Sequence, residues 1–87
     1  MIFQLFRRPI KVGDLIVTDG GKHVNEVYLW SSPSEGAAEL CAVTAKSVGV
    51  VVQLSNESWG SGVGLKVLFD GTAGWLSSEY VRHAQSH

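Results

Sequence analysis

The stretch KVLFDGTAGWLSSEYVR, residues 66–82, decides the fold. Residues 66–69 read as a strand. Asp70-Gly71 then closes a two-residue hairpin, expected as type I′ with positive φ at both central residues. Residues 73–76, AGWL, are the returning strand. The polar SSEY that follows reads as a tight 3₁₀ turn, and Tyr80, Val81 and Arg82 add a last short strand.

Working outward, GVVVQLSN (residues 49–56) is a run of β-branched residues closed by a polar turn. Gly60, Gly62 and Gly64 permit a wide or bulged hairpin loop after it. Residues 14–18 lie between Gly13-Asp14 and Gly20-Gly21 and form the first core strand. Val27 to Trp30 alternate as a second, beyond an exposed loop at 19–25. SSPSE reads differently. Ser32 is placed as an N-cap, Pro33 as the first helical residue and Glu35 as the capping partner, while Gly36 keeps the helix short. The expectation is all-β: a small barrel or sandwich of five or six short strands with one short helical insertion over residues 32–41.

Composition sets the outer limits. With 87 residues, one domain is expected. It is divided into an apolar arm (1–10), the barrel domain (11–82) and a polar tail (83–87). The formal net charge of −1 lacks the cationic excess of a general phosphate binder. The one cysteine, Cys41, excludes an internal disulfide and reads as a buried, inert thiol. No stretch approaches the ~20 apolar residues that span a bilayer. Residues 1–10 place apolar groups before the positive ones, the reverse of a signal peptide. A cytoplasmic protein is therefore expected. Within the arm, Ile2, Phe3, Leu5 and Phe6 are costly to leave in water. They are expected to pack on the chain's own core as an edge strand or to form a homo-oligomer contact, with a membrane surface as the remaining alternative.

The residues from Gly74 to Val81 resemble the end of bacterial SH3 domains: Gly-Trp, a polar turn, then Tyr and an aliphatic residue. SSPS (31–34) is similar to a segment after the first strand of those domains, and Trp59 to the Trp before their fourth. The chain also resembles a group of small phage and bacterial proteins. The shared pieces are Lys11-Val12-Gly13-Asp14-Leu15, Gly49-Val50-Val51 and residues 67–75, taken in order. The resemblance implies an SH3-like barrel and a class of non-enzymatic modules, and it carries over no ligand.

The candidate site is aromatic. Three Trp and two Tyr are more ring surface than so small a core hides easily. Trp59, Trp75, Tyr80 and Tyr28 are expected to line a partner-binding groove, as in domains that hold extended peptides. For Trp75 the competing reading is a packing residue beside the hairpin. Other chemistry finds little support. The glycines of 60–64 precede a strand, whereas a phosphate-cradling loop opens a helix. His23, His83 and His87 have no metal-ligand spacing, so solvated histidines and no metal are expected. Asp14, Asp19 and Asp70 adjoin glycines and serve turns, and the serines lie in turns as well.

The expected function is a non-catalytic protein-interaction or assembly module of phage or bacterial type, with no cofactor and not an enzyme. One alternative is a wall-glycan or peptide binder like the bacterial SH3 domains. The other is a nucleic-acid-associated barrel using Arg7, Arg8 and Lys11.

Overall fold

The computed structural model describes residues 9–19, 25–33, 36–59 and 62–84. Seven strands run in chain order: β1 Leu15–Thr18, β2 Glu26–Trp30, β3 Glu39–Thr44, β4 Val48–Trp59, β5 Gly62–Phe69, β6 Thr72–Ser77 and β7 Val81–His83. A 3₁₀ turn, Ser78–Tyr80, lies between β6 and β7. All form one antiparallel sheet in the order β3-β2-β6-β5-β4-β1-β7, curled into a half-barrel. The expected all-β class is what forms.

Strand alternation explains the core. On β5, Leu65, Val67 and Phe69 point to the concave side. They meet Ile16 of β1, Val27 and Leu29 of β2, Val51 of β4 and Leu76 of β6 in one buried cluster. Ile10, Cys41, Val43 and Val81 are partly buried against its margins. Cys41 is thus half-buried rather than enclosed.

Three features differ from expectation. First, the described residues form seven strands, not five or six, and the added one replaces the end of the expected helical insertion. ELCAVT, residues 39–44, pairs with β2 from Glu26↔Thr44 to Trp30↔Glu39 and sets Cys41 and Val43 against the core. Tertiary pairing overrides the helix-start signal at Ser32 and Pro33, which form a bend; Glu35 lies outside the described residues. The helical element of the described chain is instead the SSEY turn, which Ser77 caps by accepting from the Glu79 N–H.

Second, the long hairpin is mostly strand rather than loop. β4 and β5 stay paired out to Trp59↔Gly62, and two register shifts, Val51/Gln53 and Leu54/Ser58, absorb the extra residues of β4.

Third, the β5–β6 turn is not type I′. Gly71 has φ +77°, but among the described non-glycine residues positive φ is confined to Lys46. Only the glycine occupies the left-handed region, so Asp70 needs no special conformation.

One end of the half-barrel is pinned by Thr18, which is fully buried. Its hydroxyl donates to the Thr44 carbonyl (2.9 Å) and accepts from the Ser47 N–H (2.9 Å). Its carbonyl accepts from the Lys46 N–H at 2.7 Å. β1 is thereby fixed to the corner where the chain leaves β3 for β4.

Candidate functional site

The outer face of the sheet carries the expected ring residues, but not as a uniform groove. Tyr28 and Trp30 alternate with the core residues Val27 and Leu29, so both point outward from β2. Their rings meet edge to face at 6.3 Å between centroids, a favoured aromatic geometry. Tyr28 is 48% exposed.

Trp75 lies on the same face, between Gly74 and the core residue Leu76 on β6. It is the cross-strand partner of both Trp30 and Lys66. It is nonetheless only 8% exposed and stands outside the core cluster. β6 is covered on both sides here, since Gly74, Trp75, Leu76 and Ser77 are all buried. Trp75 acts as a floor for its neighbours.

Trp59 approaches from the end of the long hairpin. Gly64 marks the spot: a Cβ there would come within 2.8 Å of Pro33 Cβ, 3.1 Å of Ser55 Cβ and 3.2 Å of Trp59 Cε3. Three groups close over a position that has to be glycine. Gly64 is paired with Ser77, whose hydroxyl donates to the Trp59 carbonyl at 3.0 Å. An aromatic stripe therefore crosses the outer face as Tyr28, Trp30, Trp75 and Trp59, with Pro33 beside its far end. Gly64 and Pro33 are contributors that motif reading missed, and the crowded glycine was the available signal.

Tyr80 belongs elsewhere. It ends the 3₁₀ turn, is 42% exposed, and its carbonyl accepts from the Asp19 N–H at 2.7 Å, which places its backbone beside β1.

β3 is one edge of the sheet. Ala42 faces Tyr28 across the β2–β3 pair, and Leu40 falls at the register shift opposite Leu29 and Trp30. Both are exposed. A small residue between an exposed ring and an open edge leaves a shelf beside Tyr28.

A second outer region is aliphatic and was not expected as a site. Leu15, Val50 and Leu68 form one cross-strand row over β1, β4 and β5, with Val48 next to it and Val52 in the bulge. Leu15 is 57% exposed and Leu68 43%. The signal was the unbroken VGVVV at 48–52. A single-layer sheet covers one face of such a strand and leaves the other bare.

The polar groups are engaged in structure. The Asp14 carboxylate accepts from the Lys11 N–H at 2.9 Å, which is turn duty, and lies 3.8 Å from Nδ1 of the half-buried His83. The exposed Arg82 and Asp19 pair at 3.4 Å. Among the described residues, no three or more His, Cys, Asp or Glu gather as a metal set. A shallow cavity of about 380 Å³ opens between the β3–β4 corner and the β5–β6 hairpin. Its Thr44 and Ser47 hydroxyls already bond each other at 3.1 Å. None of the described helices is long and apolar enough to cross a membrane. The arm residues Ile2, Phe3, Leu5 and Phe6, with Arg7, Arg8, His23 and His87, lie outside the described residues.

Compared with known protein families, curated proteins and solved structures, the chain finds no match.

Proposed function

We propose that the protein is a non-catalytic interaction module that works in the cytoplasm and holds an extended segment of a partner protein. The observation that carries this is the Tyr28–Trp30 pair, with Tyr28 exposed and Trp30 half-buried, beside β3, an edge strand among the described residues. A segment added to that edge gains main-chain hydrogen bonds, and alternate side chains reach over Ala42 to the rings. Trp75 lies opposite Trp30 on the neighbouring strand, and Trp59 extends the apolar surface. The likeness of residues 74–81 to bacterial SH3 domains supports a binding module of phage or bacterial type. Self-assembly through the arm residues Ile2, Phe3, Leu5 and Phe6 belongs to the same reading.

A displayed library of random peptides, panned against the full chain, tests this. Peptides of extended, alternating apolar pattern are expected. Tyr28→Ala and Ala42→Lys should each weaken them about tenfold or more, the range of an interface hot spot. Both positions are exposed, so circular dichroism should show an intact fold. Recovery of no binder, or of binders indifferent to both substitutions, overturns the reading.

A further inference from the structure

We infer that the partner segment held at the β3 edge is basic: an extended strand that lays one arginine or lysine over Ala42 to the Tyr28 ring. The inference rests on the function proposed above and adds the chemistry of the occupant. Three observations meet at this place. They are a free stretch of backbone, a long gap to the ring, and two carboxylates without a counter-charge.

The Ala45 N–H donates to the Asn25 carbonyl at 2.8 Å. Antiparallel pairing alternates, so Val27/Val43 and Leu29/Cys41 are the hydrogen-bonded pairs, and Ala42 turns its N–H and carbonyl to the free side. The Thr44 carbonyl, next on that side, is already taken by the hydroxyls of Thr18 (2.9 Å) and Ser47 (2.7 Å). The free edge ends there, and an antiparallel strand added to it exchanges its bonds with Ala42. The added residue opposite Ala42 shares the outer face with Tyr28. Tyr28 lies two strand spacings away, about 10 Å, so only a long side chain reaches its ring.

The charge comes from the same two strands. Glu26 stands two residues from Tyr28 on the outer face of β2, about 7 Å along the strand. Glu39 is the cross-strand partner of Trp30, to the other side of Tyr28. Both are exposed, and β2 and β3 carry no Lys or Arg. Neither carboxylate joins an ion pair among the described residues. Lys46 lies past the closed end at Thr44, and Lys66 lies on β5, beyond β6. A cationic side chain over Ala42 therefore rests its stem on a small apolar residue and brings its head to the ring, with a carboxylate on either side. Arginine suits this best, since its planar head stacks on an aromatic ring and still donates to carboxylates.

The test sequences the random-display peptides selected on the full chain and measures their affinity by fluorescence anisotropy. Binders should carry arginine or lysine at one fixed position of an extended core. Glu26→Gln with Glu39→Gln should weaken them about fivefold, the range of two exposed ion pairs, and added salt should do the same. Selection on Glu26→Lys with Glu39→Lys should place an acidic residue at that position instead. Both glutamates are exposed, and circular dichroism should show each variant folded. Binders that lose affinity with Tyr28→Ala and Ala42→Lys but have no fixed basic residue overturn this inference and leave the edge-binding function standing. Basic binders indifferent to both glutamates overturn it as well. Absence of any binder overturns the function and this inference together. Binders that appear only after Arg7→Ala with Arg8→Ala in the full chain would make the chain's own arm the occupant, which overturns a partner there.

Discussion

Leu65 and Leu68 sit three residues apart on β5, share a side chain, and meet opposite fates. Leu65 faces the concave side and is fully buried, while Leu68 faces the convex side and is 43% exposed. The same division runs through β4, where Val51 is buried and Val48 and Val52 are exposed. Hydrophobicity fills both faces of these strands. The curl of the sheet decides which face becomes core, because the concave side brings β1, β2, β5 and β6 within reach of one another. The aromatic stripe breaks the pattern: Trp75 points outward and is buried all the same.

That exception gives the largest expected effect. Trp75→Ala should cost about 3–5 kcal/mol, as for a core aromatic. Tyr28→Ala, on the same face, should cost under about 1 kcal/mol. Urea titration of both variants measures the difference, and equal costs would dissolve the distinction between floor and rim. The leucines sharpen the comparison next. Leu65→Ala should cost about 2–5 kcal/mol, against about 0.5 kcal/mol or less for Leu68→Ala measured in dilute solution. A large loss from Leu68→Ala under those conditions would mean that the convex face is covered within one chain. A smaller loss than at Trp75 or Leu65 is expected at the pinned end. Thr18→Val keeps the shape but removes the hydroxyl between the Ser47 N–H and the Thr44 carbonyl; the carbonyl still accepts from the Ser47 hydroxyl at 2.7 Å, so the cost should be about 0.5–1.5 kcal/mol. Thermal melts would show it, and no change would mean that water replaces the hydroxyl there.

The strands legible in the sequence were those where local chemistry and tertiary role agree. β-branched residues on β1 and β4, and Asp-Gly and Gly-Trp around β5 and β6, point the same way as the sheet. β3 was not legible. Glu39, Ala42 and Cys41 have little strand preference, and Ser32-Pro33 offers a convincing helix start. Only the partnership with β2 makes the segment extended. β4 ran longer than read because Ser55 and Asn56 look like a turn, yet the bulges carry them along β5. The ring residues were legible as a group, but their separation was not. Trp75 is buried by its setting between β2 and β5, and Tyr80 is drawn off by the 3₁₀ turn. The aliphatic face was hidden because a run of valines signals a strand without saying which side will be bare.

The pairing of Ile16 with His83 and of Val17 with Arg82 bears on how the protein is made. β1 needs β7 on one side and β4 on the other, so the first of the described strands waits for the last. The local hairpins β2–β3, β4–β5 and β5–β6 can form as the chain emerges, but the sheet is completed only once β7 is available. Such non-local pairing belongs to slow-folding topologies. During that wait the valines of β4 and the open side of β3 are exposed together, and they are the surfaces a chaperone would have to shield.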